Sequence, residues 1–270
     1  MSKIWFITGA GRGFGRLWAE GALARGDKVV AAVRNLDAIA DMVSTYGDQV
    51  LPLRLDVTDR DAVFEAVATA HAHFGRLDII LSNAGYGLMG TVEELKIADM
   101  RAVFETNVFG TISLVQAALP FLRAQGSGHI LPVSSVAGLH TFPTVAIYAA
   151  TKFAIEGFAE GLAAEVGAFG IKTTLIEPGA YATEFGTSLQ VAEPIAAYDN
   201  VRDDLAQLMT TIVFGDPAAT WPAIAKLVDS DNPPLRLLLG DGLPLVRHVY
   251  DERMKTWEAW EDVSKAAHRG

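Results

Sequence analysis

A short apolar run, Lys3 to Thr8 (KIWFIT), passes directly into GAGRGFG and then into a helical pattern, RLWAEGALARG. No other stretch limits the fold so much, because the chain must leave a strand, turn tightly and open a helix within a few residues. Glycines let the backbone approach phosphate oxygens, and the start of a helix offers unpaired N–H groups and the positive end of its dipole. The spacing here is TGxxxGxG, with Thr8, Gly9, Gly13 and Gly15 at the fixed positions, and not the commoner GxGxxG. Between a strand and a helix, such a loop predicts a cradle for a dinucleotide.

The same alternation continues along the chain. Apolar runs at 28–33, 49–55, 78–81, 129–134, 171–176 and 233–240 read as six further strands, with helical periodicity between them. Seven strands alternating with helices predict an α/β fold, a doubly wound parallel sheet with helices on both faces. Pro132 is awkward in the fifth strand, since proline cannot donate to a ladder, and predicts one lost hydrogen bond or a local irregularity. Residues 180–215 lose periodicity after a strand's carboxyl end, where lids over active sites occur. Residues 244–268 read as an amphipathic helix. With no linker or repeat, 1–270 is expected to be a single domain. A net charge of −10 argues against nucleic acid as a partner. The absence of cysteine excludes disulfides and thiolate metal sites. The beginning of the sequence shows no signal-peptide pattern, and no apolar run approaches membrane-spanning length, so a cytoplasmic protein without a membrane partner is expected.

The candidate functional residues fall at strand carboxyl ends, where ligands bind in open α/β sheets. After the second strand stand Val33 and Arg34, with no acid until Asp37. An acid there would hold a ribose 2′-hydroxyl, whereas Arg34, joined by Arg12 of the glycine loop, suits a 2′-phosphate. This pair favours NADP(H) over NAD(H). Tyr148 and Lys152 are four apart and share a helical face. An ammonium beside a phenol would favour phenolate and make Tyr148 a general acid or base. Ser135, on the preceding turn, could aim a hydroxyl at the same spot. Alone, the Tyr–Lys pair is also what a surface helix shows. Asn107, amid apolar helical residues, is either a structural contact or part of a site. His71 and His73 diverge on a helix and read as packing residues, and no metal site is expected.

Taken together, TGAGRGFG (8–15), Asp56, NAG (83–85), Asn107, Ser135, YAATK (148–152) and PGAYAT (178–183) resemble, in order and interval, the short-chain dehydrogenases/reductases, across nearly the whole chain. The resemblance implies a Rossmann-like fold and the following roles. Tyr148 exchanges a proton with the substrate oxygen, Lys152 lowers the Tyr148 pKa and binds the nicotinamide ribose, and Ser135, not Ser134, polarises the substrate oxygen. Asn107 holds a water in a proton relay. Gly9, Arg12, Gly13, Phe14 and Gly15 line the pyrophosphate and adenosine side, with Arg34 on the 2′-phosphate. Asp56 and Val57 contact adenine, Asn83, Ala84 and Gly85 the adenosine ribose, and Pro178, Gly179 and Thr183 the nicotinamide amide. Relatives pair through their long helices, which implies a homodimer or homotetramer.

For a small-molecule substrate, the nearby Met89, Leu139, Phe142, Tyr181 and Phe185 predict a hydrophobic ketone, aldehyde or alcohol, with His140 as a polar contact. A 3-oxoacyl-carrier-protein reductase shares the motifs, although the net charge does not favour an acidic carrier. An NADP-sensing binding protein is a further alternative, but would usually lack the Tyr or Lys retained here.

Overall fold

The computed structural model describes residues 2–268. Its strands are β1 (Ile4–Thr8), β2 (Lys28–Val33), β3 (Val50–Arg54), β4 (Ile79–Ser82), β5 (Leu88–Met89), β6 (Gly128–Pro132), β7 (Ile171–Thr173), β8 (Leu175–Pro178), β9 (Gln190–Val191) and β10 (Arg236–Leu239). The helices are α1 (Gly13–Ala24), α2 (Ala40–Tyr46), α3 (Arg60–Phe74), α4 (Ile97–Phe104), α5 (Gly110–Gln125), α6 (Ala146–Val166), α7 (Asp199–Met209), α8 (Trp221–Asp229), α9 (Leu243–Ala259) and α10 (Glu261–His268).

The central sheet is parallel, in the order β3-β2-β1-β4-β6-β7, so the order in which strands are added reverses between β1 and β4. That reversal is the switch point at which a doubly wound fold opens a crevice. Alternation along β1 sends Ile4 and Phe6 to one face and Trp5 and Ile7 to the other. The first face packs on Val63 and Val67 of α3, Leu114 of α5 and Leu162 of α6. The second packs on Trp18 of α1, Met42 of α2 and Ile224 of α8. Burial of each such large side chain contributes roughly 1.5–3 kcal/mol.

The strand predicted over 171–176 is two strands. β7 pairs with β6, and β8 pairs with β10. Pro132 gives the physical reason. Ile130 O accepts from Thr174 N, and Ser134 N donates to Ile176 O, so alternate residues of this stretch face the same neighbour. Position 132 therefore lacks a donor opposite Thr174, the residue at which the neighbouring chain breaks. The small β5–β9 pair is additional to the seven predicted strands.

Three helical expectations change, the first because α7 (Asp199–Met209) lies within 180–215, where no periodicity was expected. The tail helix over 244–268 is interrupted at Trp260, giving α9 and α10. The helix Ile97–Gln125 spans 29 residues and, by length and composition, is apolar enough to cross a membrane, contrary to the sequence reading. Its most apolar window is 56% buried within the protein, so that apolarity is spent on the core beside α3. Within it, Glu105–Phe109 forms a π turn between α4 and α5.

Candidate active site

The glycine loop is fastened to its neighbour by one hydroxyl. Thr8 Oγ1 accepts from the N–H groups of Asn83 and Ala84, both at 3.1 Å, and Asn83 Nδ2 donates to the carbonyls of Thr8 and Gly9. Gly9 and Gly13 adopt φ of +68° and +54°, which favours glycine. A Cβ on Gly15 would overlap the Gly9 carbonyl and the Asn83 amide. Asn83 therefore joins two loops with its side chain, and its amide is already engaged.

Beyond this knot lies a cleft of about 610 Å³. Gly9, Arg12, Gly13 and Phe14 line it from the first loop, and Arg34, Asp56 and Val57 from the next two strand ends. Asn83, Ala84, Gly85 and Thr183 line it as predicted; Gly15 packs behind Gly9 and Asn83, whereas Pro178 and Gly179 do not line the cleft, Pro178 O accepting from Ser135 and Gly179 N–H donating to Leu239 O. Asp56 accepts from the N–H and hydroxyl of Thr58, at 3.0 and 2.8 Å, and the Thr58 N–H holds its carboxyl below the usual range. Sequence reasoning missed Glu184, whose carboxylate accepts from Gly13 N–H at 3.1 Å. An acid six residues beyond Pro178 carries no motif signal, and only folding brings it to the start of α1.

Tyr148, Ser135 and Lys152 meet beside the cleft. Ser135 starts a short 3₁₀ turn, where its Oγ accepts from Ala137 N–H at 3.1 Å and donates to Pro178 O at 3.4 Å. The same hydroxyl acts on Tyr148, where it opposes the rise in the phenol pKa. Ser134 points elsewhere and is 2% exposed. The expected lowering of Tyr148 by Lys152 is absent. Burial pushes the phenol up to about 12, against a smaller opposing effect of Ser135. Lys152 Nζ instead donates to Val133 O at 2.9 Å and lies 5.7 Å from the Tyr148 ring centre. Burial brings Lys152 down to about 8, with Glu156 opposing the shift.

Asn107 sits on the π turn, a local widening that often marks functional positions in helices. Its amide accepts from Tyr86 N–H and donates to Tyr86 O and Thr151 Oγ1, at 3.0–3.1 Å. Its side chain thus ties the loop after β4 to α6.

Of the six predicted substrate-wall residues, Phe185 lines the cleft, and its ring centre is 5.6 Å from that of Tyr148. Tyr181 is turned the other way, edge-on to Phe14 at 5.3 Å and packed with the α1 face of the core. Leu139 and His140 are buried, and His140 meets Phe142 edge-on at 4.4 Å. Met89 lies in β5, registered with Val191. His71 stacks on Phe121 and His73 meets Phe74 edge-on, so both pack against rings.

The fold and the cleft define a nucleotide-binding α/β protein, and comparison with known sequences narrows this further. The family described as short chain dehydrogenase matches residues 3–194, and the chain belongs to that family. Among curated relatives, an oxidoreductase of Botryotinia fuckeliana is 37% identical over 99% of this chain and 100% of its own. A 3-ketodihydrosphingosine reductase of Bacteroides thetaiotaomicron is 32% identical over 94% and 93%. Among solved structures, a short-chain dehydrogenase from Streptomyces avermitilis superposes with a TM-score of 0.93 at 37% identity, covering 98% of both chains. A short chain dehydrogenase/reductase from Burkholderia phymatum, in complex with NAD, gives 0.80 at 28% identity, covering 94% and 95%. A serine dehydrogenase complexed with NADP+ gives 0.77 at 25% identity, covering 87% and 94%. The protein is therefore an oxidoreductase of a family whose members use nicotinamide cofactors, act on small molecules and commonly oligomerise.

Proposed function

We propose that this protein is an NADP(H)-dependent oxidoreductase that interconverts a ketone or aldehyde and its alcohol on a mainly hydrophobic substrate. The observation that carries the reading is the meeting of Tyr148, Ser135 and Lys152 beside a cleft lined by Arg12 and Arg34.

The residues suit a dinucleotide. Gly13 N–H, at the start of α1, already holds a carboxylate oxygen of Glu184, so this backbone donor accommodates an anion. The glycine loop would hold the pyrophosphate, and the exposed Arg12 and Arg34 would hold the 2′-phosphate. When bound, the cofactor supplies hydride exchange with the substrate carbon. The chain's own task is to place the substrate oxygen and handle its proton. A phenol pushed up to about 12 is protonated at neutral pH, the form required of a donor to a carbonyl oxygen. Ser135 Oγ, already beside the phenol, would hold that oxygen in line. Lys152, fixed to Val133 O, would present its charge to the same region and to bound ribose hydroxyls. Phe185 beside Tyr148 favours an apolar substrate body, as does the Bacteroides relative named as a 3-ketodihydrosphingosine reductase.

The test is a panel of carbonyl compounds followed by NADPH absorbance. Tyr148→Phe should keep NADPH binding and lose turnover by about two or more orders of magnitude. Unchanged turnover refutes the reading. Arg34→Asp should move the preference towards NAD(H), and equal binding of both cofactors by the unaltered protein would overturn the NADP assignment.

A further inference from the structure

Tyr148, Lys152, Glu156 and Glu160 recur every four residues along α6 and share one face. Behind Lys152 this face meets β8 and β10. Glu156 and Glu177 are 6% and 2% exposed. Glu177 directly precedes the Pro178–Gly179 turn. One guanidinium serves both acids. Arg236 Nε donates to Glu156 Oε2 at 3.0 Å and lies 3.6 Å from Glu177 Oε1, while Nη2 donates to Glu160 at 2.6 Å. The buried oxygens Glu156 Oε1, Glu177 Oε1 and Ser134 Oγ have no hydrogen-bond partner among the described residues. Ser134 and Glu156 flank one spot, since a Cβ on Gly138 would come within 2.6 Å of Ser134 Oγ and 3.1 Å of Glu156 Cγ.

Two buried carboxylates that lean on one guanidinium, which Glu160 also engages, oppose each other's ionisation and favour retention of a proton between them. The groups facing the pair are Lys152 and Glu160 from α6 and Arg236 from β10, with the neutral Ser134 beneath. Burial, followed by the charge of Glu156, pushes the Glu177 carboxyl well above the ordinary carboxyl range, so Glu177 is the acid of the pair that tends to keep a proton. Glu156 is one turn from Lys152, and its charge opposes the loss of the lysine proton caused by burial.

We propose that Glu156 and Glu177 are positioning residues for the reaction: a carboxyl pair sharing one proton, whose single negative charge keeps Lys152 charged and whose bridge through Arg236 holds the α6 turn against the Pro178–Gly179 turn. The inference rests on the proposed roles of Tyr148 and Lys152.

The test combines two measurements. In the cofactor-free protein labelled with ¹³C at glutamate carboxyls, one resonance should titrate several pH units above the others, and Glu177→Gln should remove it. In steady-state assays with NADPH, Glu156→Gln should move the alkaline limb of kcat/KM to lower pH by about one unit, equivalent to about a tenfold change in the Lys152 proton affinity. Glu156→Asp should restore part of that shift. A purely structural role would alter melting temperature and leave the limb in place. The proposal fails if no glutamate titrates above about pH 6, which the unaltered protein decides even where a variant does not fold. It also fails if a folded Glu156→Gln keeps the original limb while Tyr148→Phe is inactive. An active Tyr148→Phe instead overturns the underlying reading of the site.

Discussion

The two walls of the cleft are built by opposite means. On the glycine-loop side, backbone groups interlock: Thr8 and Asn83 exchange hydrogen bonds across two strand ends, and Gly15 fits where no Cβ can. The 180–215 side rests mainly on side-chain charges and the two-residue β5–β9 pair. Glu94 accepts from the N–H groups of Thr91 and Ile195, both at 2.7 Å, and pairs with Arg202. Val191, Leu208, Val213 and Phe214 are exposed there. Little apolar area would be lost on opening this wall, whereas shifting the other breaks several partly buried hydrogen bonds at once. The contrast matches a division of labour in which the invariant reactant meets rigid backbone and the variable one meets an adjustable surface.

The largest effect is expected at Gly15→Ala, whose methyl group meets backbone that cannot yield. NADPH binding, measured by fluorescence titration, should weaken by about a hundredfold, with up to ~3 kcal/mol lost in denaturant unfolding. Normal binding would show that the first wall is not rigid. A smaller and selective effect is expected at Glu94→Gln. Substrate KM should rise about five- to tenfold while NADPH affinity changes less than twofold, because one charged anchor of the second wall is lost. The pH sign follows from the same contacts. Backbone donors, first that of Ile195, hold Glu94 down to about 2. Its anchoring is therefore complete above the ordinary glutamate pKa and is lost as pH falls from there through about 2. Proteolysis within 190–202 should accelerate over that acid window, and a rate flat with pH would break the comparison. The smallest effect joins the two walls: Glu184→Gln removes the carboxylate from Gly13 N–H, and NADPH binding should tighten about two- to threefold. Weaker binding would mean that Glu184 assists the cofactor.

The glycine loop and the Tyr–Lys spacing were legible in the sequence because each depends on local geometry, positive φ and a helical period, whereas the choice of Ser135 over Ser134 came from the family resemblance. The break between β7 and β8 was not, because IKTTLIEP is a continuous strand pattern and its interruption faces a proline forty residues earlier. Tyr181 lies in a recognisable motif, but its direction depends on Phe14 and the α1 face of the core, which spacing does not reveal. The Lys152 environment was misread for a related reason. Proximity to Tyr148 is a helical property, whereas desolvation depends on the elements packed around α6.

The π turn at Glu105–Phe109 has one further consequence, which concerns phase. An α-helix advances about 100° per residue, so one extra residue in a turn sets the preceding segment about that far out of step with the following one. α4 can thus seat Val103 beside Leu88 and Leu95 while α5 seats Leu114 under the sheet, with Asn107 held between them. Chain length at this point acts as a gear setting. Deleting a single residue from 105–109 would restore an unbroken helix and roll either Asn107 away from Tyr86 and Thr151 or α4 away from its own core.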